Sequence, residues 1–254
     1  MAKKLFFGLI LCFIAFSIVF YVQKKPELVS HQTSDSSAMI SSSETRDNET
    51  TSTSEKPIYP GRADDWELLV VNEKHKIKEE PTDLKELPNG MQIDSRIFDS
   101  YEALNKAAKK AGFDLTIISA YRSVAEQESI VARDTQSYLD QGFSEEESKK
   151  RAMEYLTVPG LSEHHTGLAM DVLEEDWYND GNMLEEEFGE TKAGKWLDEN
   201  VCHYGFVIRY QKGKEKITGI NYEPWHIRYV GKENAEYMKD HDLVLEEYVE
   251  QIKK

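Results

Sequence analysis

Two short stretches of this chain combine side chains that could bind a metal ion and catalyse hydrolysis. Residues 162–171 read Ser-Glu-His-His-Thr-Gly-Leu-Ala-Met-Asp, and residues 223–226 read Glu-Pro-Trp-His. A catalytic zinc ion typically has three protein ligands of the His or carboxylate type and keeps a fourth position open for water. A glutamate that does not bind the metal can then act as general base. The pattern therefore indicates a zinc hydrolase.

The metal ligands predicted from these stretches are His164, Asp171 and His226. His164 precedes a predicted strand, residues 168–173, that contains Asp171, and His226 lies in a second predicted strand, residues 225–229. If the two strands are neighbours, the three side chains can converge. Glu223, at the entry of the second strand, would then accept a proton from water and pass it to the leaving amine.

Each of these residues has a simpler interpretation when it is taken alone. An isolated histidine in a strand is usually structural, and we assign that role to His165. Asp171 could form a cap or an ion pair, and Glu223 could be a surface acid. The joint pattern favours the metal site, and the small residues Gly167 and Ala169 would leave room for a metal or a substrate.

A third stretch, residues 119–123, reads Ser-Ala-Tyr-Arg-Ser and is followed by Gln127. Arg122 lies between a predicted buried strand and the start of a predicted helix. Helix N-termini attract anions, and an arginine can pair with a carboxylate through two hydrogen bonds. The alternative is an arginine paired with surface acids, which are abundant in this chain.

Apolar periodicity, capping residues and glycines predict mixed secondary structure from residue 58 onward. Helices are predicted over residues 96–111, 123–139, 144–156, 191–204, 232–240 and 244–252. Strands are predicted over residues 66–71, 115–119, 168–173, 206–210 and 225–229. The order has no regular βαβ alternation. We therefore predict an α+β fold, with a small, mostly antiparallel sheet flanked by helices in a single domain.

The N-terminal part differs in composition from this domain. Residues 5–22 are almost entirely apolar and follow two lysines, which fits either a membrane anchor or a cleavable signal peptide. No good small-x-small cleavage site follows, so we favour an anchor within residues 1–25. Residues 26–57 are rich in Ser and Thr and predict a disordered spacer. Residues 58–254 form the predicted catalytic domain, which the anchor would hold outside the membrane.

The charge and cysteine content exclude several classes of function. The formal net charge of −16 argues against nucleic acid and against docking on an anionic membrane surface. Cys202 is the only cysteine after residue 57, so the domain has neither an internal disulfide nor a cysteine-rich zinc ribbon. A metal would have to be held mainly by His, Asp or Glu.

The three motifs together resemble those of the VanY-type zinc D-alanyl-D-alanine carboxypeptidases and their L,D-carboxypeptidase relatives. The motifs are Ser-x-Tyr-Arg-Ser with a following Gln, Ser-x-His-x-x-Gly-x-Ala-x-Asp and Glu-x-Trp-His, and the resemblance extends from about residue 66 to 231. It implies an α+β fold and removal of the terminal D-alanine from peptidoglycan stem peptides. It also implies zinc on His164, Asp171 and His226, with Glu223 as base.

For the remaining residues, the resemblance implies contacts with the substrate. Arg122 would stabilise the tetrahedral oxyanion or hold the substrate. Ser119, Ser162, Gln127 and Tyr210 would line the pocket for the terminal D-residue and its carboxylate. A complete motif set predicts an active enzyme. We expect a monomer whose partners are peptidoglycan stem peptides and, through the N-terminal segment, the membrane.

Three alternatives remain open from the sequence. An L,D-carboxypeptidase would cut Lys-D-Ala in tetrapeptides with the same catalytic residues, because pocket shape sets the choice. A wall-binding module would use the pocket without turnover, but Glu223 argues against it. An adaptor with acidic helices would leave the three motifs unexplained.

Overall fold

The structure is a computed structural model in which residues 58–153 and 156–253 are described. This described part mixes α-helices and β-strands. The helices are α1 (Phe98–Ala111), α2 (Val124–Asp140), α3 (Glu145–Ala152), α4 (Glu175–Asn179), α5 (Lys192–Asn200), α6 (Glu215–Thr218), α7 (Lys232–Asp240) and α8 (Leu245–Ile252). The strands are β1 (Leu84–Glu86), β2 (Gln92–Asp94), β3 (Leu115–Ser119), β4 (Ala169–Glu174), β5 (Phe206–Tyr210) and β6 (Glu223–Tyr229).

Four of these strands form an antiparallel sheet in the order β3-β4-β6-β5, and β1 and β2 form a separate hairpin. The central strands β4 and β6 are direct neighbours, and Asp171 lies opposite His226 in their register. On the other side of β6, Tyr210 of β5 lies opposite Glu223. The predicted α+β class with a small antiparallel sheet is therefore confirmed.

The two faces of this sheet have different chemistry because successive side chains of a strand point to opposite faces. One face is apolar and belongs to the main core, as Met170, Phe206 and Ile227 show. The intervening positions on the central strands carry polar groups, such as Asp171 and His226. The apolar face anchors the sheet in the core, and the opposite face carries the polar side chains of the candidate site.

A second apolar cluster joins the C-terminal helices to the edge strand β5. It contains Val207 of β5, Met238 of α7, and Leu245 and Tyr248 of α8, all buried. Leu68, from the segment that precedes the hairpin, packs in the same cluster. The first and last described segments are therefore held together beside the sheet.

The predicted helix starts at two serines are confirmed. The Ser123 hydroxyl accepts a hydrogen bond from the Glu126 amide at 3.1 Å, and the Ser144 hydroxyl accepts one from the Glu147 amide at 3.2 Å. These bonds satisfy amides that have no partner within the first turn of a helix. At the end of α1, Gly112 adopts the left-handed conformation expected of a helix-terminating glycine.

Some of the predicted elements were wrong. Residues 66–71 do not form a strand: Trp66–Leu68 is a short 3-10 helix. The nearby carbonyl oxygens of Glu67 and Leu69 accept hydrogen bonds from the Arg228 guanidinium, so they are not available to a neighbouring strand. The helix predicted over residues 191–204 is α5 followed by a 3-10 turn, Val201–Tyr204. The hairpin β1–β2 was not predicted.

The membrane anchor prediction cannot be compared with these elements. Among the described residues, no helix combines the length and the apolar character needed to cross a membrane. The predicted anchor and spacer both lie outside the described residues.

Candidate metal centre and active site

The three predicted metal ligands meet on the polar face of the sheet. His164, Asp171 and His226 are buried, and each offers one ligand atom within 4.8 Å of the other two. Asp171 Oδ2 lies 3.3 Å from His164 Nε2, and Asp171 Oδ1 lies 2.9 Å from His226 Nδ1. The carboxylate thus lies between the two imidazoles, and Asp171 and His226 face each other because their strands are paired.

Local backbone structure fixes the orientation of His164. A 3-10 helix, Glu163–Thr166, begins after Ser162, whose hydroxyl accepts a hydrogen bond from the His164 amide at 3.4 Å. The Nδ1 atom of His164 lies 2.8 Å from the Ala120 carbonyl oxygen. Nδ1 therefore carries the proton, and the lone pair of Nε2 is directed at Asp171 and the centre. This is the arrangement expected of a metal-binding imidazole.

The charges around the centre favour a cation. Burial alone would raise the pKa of Asp171, but the imidazoles of His164 and His226 outweigh it and hold that pKa below its usual range. Burial opposes a charge on His226, yet Asp171, Glu163 and Glu223 raise its pKa to about 10. Asp171 Oδ1 is buried, and although His226 Nδ1 lies 2.9 Å away, the two atoms do not have the geometry of a hydrogen bond. This donor set of two imidazoles and one carboxylate fits zinc.

Glu223 lies at the edge of this centre. Its Oε2 is 3.6 Å from His226 Nδ1, and its side chain is 27% exposed, far more than the three candidate ligands. Burial is the main reason why the pKa of Glu223 is raised to about 7, with Asp171 and Glu163 adding to it and His226 opposing it. A carboxylate with a pKa near neutrality is suited to both accept and donate a proton.

Arg122 approaches the centre from the loop between β3 and α2. Its amide donates to the His164 carbonyl oxygen at 3.2 Å, and its own carbonyl oxygen is 2.6 Å from Nδ1 of His165. His165 Nε2 in turn accepts a hydrogen bond from the Gly160 amide, which agrees with the structural role predicted for His165. The Arg122 Nε atom is buried and has no partner among the described residues. A substrate carboxylate or oxyanion could supply one.

The other predicted substrate residues occupy different positions. Ser119 pairs with Asp171 in the register of β3 and β4, and Ser162 is the buried residue that caps the helix of His164. The Tyr210 ring packs on His226, with ring centroids 4.8 Å apart. Gln127 is fully buried, and its amide nitrogen donates to the Thr157 carbonyl oxygen at 2.6 Å. Gln127 is thus bonded to a loop and not to the candidate ligands.

The room predicted beside Gly167 is occupied by protein. A Cβ atom at this position would lie 3.0 Å from the Asp94 amide nitrogen, which donates to the Gly167 carbonyl oxygen. Gly167 also has a φ of 67°, a conformation that glycine adopts most readily. Its small size therefore serves the close approach of the hairpin and does not leave space for a metal or substrate.

Sequence reasoning missed a buried ionic cluster next to the centre. It consists of Glu163, Arg209 and Arg228, all with fully buried side chains. One signal was available: both strands β5 and β6 contain Ile-Arg-Tyr, so each has an arginine within an otherwise apolar run. A buried arginine needs an acidic partner, and Glu163 lies directly beside a predicted ligand.

A family model described as VanY, D-alanyl-D-alanine carboxypeptidase, matches residues 90–232. This range contains the three motifs and all the candidate site residues. The chain belongs to the VanY family. Membership confirms the predicted enzyme class, a zinc carboxypeptidase.

Sequence similarity to named proteins supports the VanY assignment. YodJ of Bacillus subtilis is 45% identical over 156 residues, which make up 61% of this chain and 53% of YodJ. The chain therefore spans about half the length of that relative. A D-alanyl-D-alanine carboxypeptidase of Enterococcus faecalis is 35% identical over 190 residues, which cover 74% of this chain and 68% of the relative.

Two solved structures resemble the VanY domain described here. The vancomycin resistance D,D-pentapeptidase VanY in complex with Zn(II) is 34% identical, with a TM-score of 0.60, over 73% of this chain and 99% of that one. The LdcB LD-carboxypeptidase is 38% identical, with a TM-score of 0.61, over 73% of this chain and 86% of that one. The zinc-containing relative supports zinc as the cofactor.

Proposed function

We propose that this chain is a zinc-dependent carboxypeptidase that removes the terminal D-alanine from peptidoglycan stem peptides ending in D-Ala-D-Ala. The observation that carries the proposal is the buried centre of His164, Asp171 and His226 with Glu223 at its edge. Three ligands leave a fourth position open, and a carboxylate outside the ligand set is available as base. Family membership supplies the substrate class.

In this proposal, His164 Nε2, Asp171 and His226 Nδ1 hold the zinc ion. When bound, zinc supplies Lewis acidity, which polarises the scissile carbonyl and lowers the pKa of water toward neutrality. Glu223 Oε2 accepts a proton from the attacking water and later donates it to the departing amino group of D-alanine. Its raised pKa suits both transfers.

Arg122 would recognise the negative charge of the substrate, either on the terminal carboxylate or on the developing oxyanion. Its buried, unpartnered Nε supports this role. Ser119, Ser162 and Tyr210 would line the same pocket because each adjoins one of the proposed ligands. Gln127 would shape the wall through its bond to Thr157, since its amide nitrogen is already used there.

An L,D-carboxypeptidase that cuts Lys-D-Ala in tetrapeptides is the second candidate. The similarity to LdcB supports it, because LdcB and the D,D-pentapeptidase match this chain with nearly equal TM-scores. The proposed catalytic residues would serve both reactions. The shape of the pocket beyond the scissile bond would select between them.

We also propose that residues 5–22 anchor the enzyme in the membrane, with residues 26–57 as a spacer and a monomeric domain acting on the wall outside. The apolar run, the absence of a good cleavage site and the Ser/Thr-rich composition support this arrangement. A wall enzyme of this family acts outside the cytoplasmic membrane, where such a tether would keep it near its substrate.

The deciding experiment is product analysis on two synthetic stem peptides, a pentapeptide ending in D-Ala-D-Ala and the corresponding tetrapeptide ending in Lys-D-Ala. We expect D-alanine release from the pentapeptide, loss of release with a chelator, and recovery with added zinc. Preferential release from the tetrapeptide would establish the L,D-activity. Binding of both peptides without release would reject catalysis.

A further inference from the structure

The polar face of the sheet holds an ionic cluster that the proposed reaction does not use directly. Glu163 Oε1 accepts hydrogen bonds from Arg209 Nε at 2.7 Å and from Arg228 Nη1 at 2.8 Å. All three side chains are fully buried. Burying charges costs desolvation energy, so such a cluster often adds no net stability compared with apolar packing. Such a cluster can instead serve to orient another group.

The other carboxylate oxygen of Glu163 faces a proposed zinc ligand. Oε2 lies 3.5 Å from His226 Nε2, slightly beyond an ordinary hydrogen bond. Both atoms are buried, and neither has a hydrogen-bond partner in the described part of the chain. Among the described residues, each atom is therefore available as a partner of the other. A proton on Nε2 directed at Glu163 leaves the lone pair of Nδ1 for the metal.

Glu163 is itself held from outside the sheet. Arg209 donates from Nη1 and Nη2 to the two carboxylate oxygens of Glu246 in α8, at 2.9 and 2.6 Å. Asn72 donates to the same carboxylate at 3.1 Å. Arg228 is fixed by the backbone carbonyl oxygens of Glu67 and Leu69. Contacts therefore run without interruption from α8 through Arg209 and Glu163 to His226.

We propose that Glu163 is a positioning residue that fixes the tautomer and orientation of His226, and that Glu246 of α8 supports it through Arg209. This inference rests on the zinc site proposed above. It assigns a part in metal binding to α8 and to residues 67–72, which all lie outside the region that the family model matches. The C-terminal helix thus contributes to the affinity of the enzyme for zinc and does more than cover the sheet.

The test measures zinc affinity by competition with a chromogenic chelator, independently of activity. Glu163→Gln keeps the shape, but its amide can present N–H groups to His226 Nε2 and favour the wrong tautomer. We expect zinc binding to weaken by about ten- to a hundredfold, the usual effect of losing the outer partner of a metal-binding histidine. Circular dichroism of the metal-free protein establishes that the variant is folded.

A matched pair of variants in α8 separates metal positioning from simple helix stability. Glu246→Ala removes the partner of Arg209. Glu247→Ala, one residue further on, removes the bond from the Val244 amide at 3.1 Å and the ion pair with Lys214 at 3.2 Å, but leaves Arg209 untouched. We expect Glu246→Ala to weaken zinc binding several-fold and Glu247→Ala to leave it within about twofold of the original protein, even if both lower the melting temperature.

Three results would overturn the inference. The first is a folded Glu163→Gln protein with unchanged zinc affinity, and the second is an equal loss of affinity in the two α8 variants. If Glu163→Gln does not fold, the α8 pair alone decides. The third is failure of the original protein to bind about one zinc, which would reject the proposed site itself. The wild-type measurement therefore distinguishes failure of the site from failure of the positioning network.

Discussion

Replacement of Glu223 by glutamine tests the assignment of the general base. The change keeps the size and planarity of the side chain and removes its ability to accept a proton. Glu223 is not one of the three converging ligands, and its Oε2 lies 3.6 Å from His226 Nδ1. We therefore expect Glu223→Gln to retain zinc and to lose most of its turnover.

The expected size of the loss follows from the role. General acid–base catalysis contributes about a hundred- to ten-thousandfold, which corresponds to roughly 2.7–5.4 kcal/mol in the barrier at 1.36 kcal/mol per tenfold. The raised pKa also predicts a pH effect. Burial places the pKa of Glu223 at about 7 instead of 4.5, and a neighbouring zinc ion would lower it from there. Since the base must be deprotonated, kcat/KM should fall as the pH decreases between these values.

The assay is D-alanine release from the pentapeptide as a function of pH, with zinc content measured on the same samples. Glu233→Gln is the matched control, because Glu233 is exposed and lies on α7, which contributes none of the candidate site residues. The control should behave like the original protein. A Glu223→Gln enzyme with near-normal turnover would refute the reasoning, and loss of its zinc would place Glu223 among the ligands instead.

Three further predictions test the ligands, the substrate recognition and the anchor. The original protein should bind about one equivalent of zinc. His226→Ala should lose most of this zinc and all measurable turnover, whereas His241→Ala, at an exposed position, should keep both. Metal analysis and D-alanine release measure the two properties. Arg122→Lys should lower kcat/KM about tenfold or more, because an ammonium cannot make a planar two-point contact; an amidated peptide should cause a similar loss in the original enzyme. Equal cleavage of free and amidated peptides would indicate an endopeptidase. N-terminal sequencing of the membrane fraction should find residues 5–22 intact, and a mature chain that begins after residue 22 would show cleavage.

The elements that carry the site were predictable because their signals are local. Periodicity and turn residues gave β3 and β5 with their observed bounds, and the capping serines marked the starts of α2 and α3. The convergence of His164, Asp171 and His226 needed one assumption, that two strands are neighbours. Their pairing in the sheet satisfies it.

The parts that were not predicted depend on contacts between distant segments. The backbone near Glu67 looked like a strand because its residues are apolar and β-branched, but its carbonyl oxygens bind the guanidinium of Arg228, about 160 residues away. Glu163 is the unspecified position between Ser162 and His164 in the Ser-x-His motif, and no role was predicted for it. Its importance appears only when the partners from β5 and β6 are in place, since no local pattern specifies them.

The charges of the centre explain why it should bind a divalent cation and how a proton should compete with it. The charge of Glu163 is balanced by Arg209 and Arg228. When the imidazoles are neutral, the two carboxylates Asp171 and Glu223 remain beside them, and one zinc ion would neutralise both charges.

In the absence of metal, the neighbouring carboxylates raise the pKa of His226 to about 10, so this imidazole carries a proton at neutral pH. Because a metal ligand must be deprotonated, zinc binding has to expel that proton, and affinity should decrease as the pH falls. Calorimetry of zinc binding in buffers with different ionisation enthalpies should therefore detect proton release. Binding enthalpies that do not vary with the buffer would contradict this account of the centre.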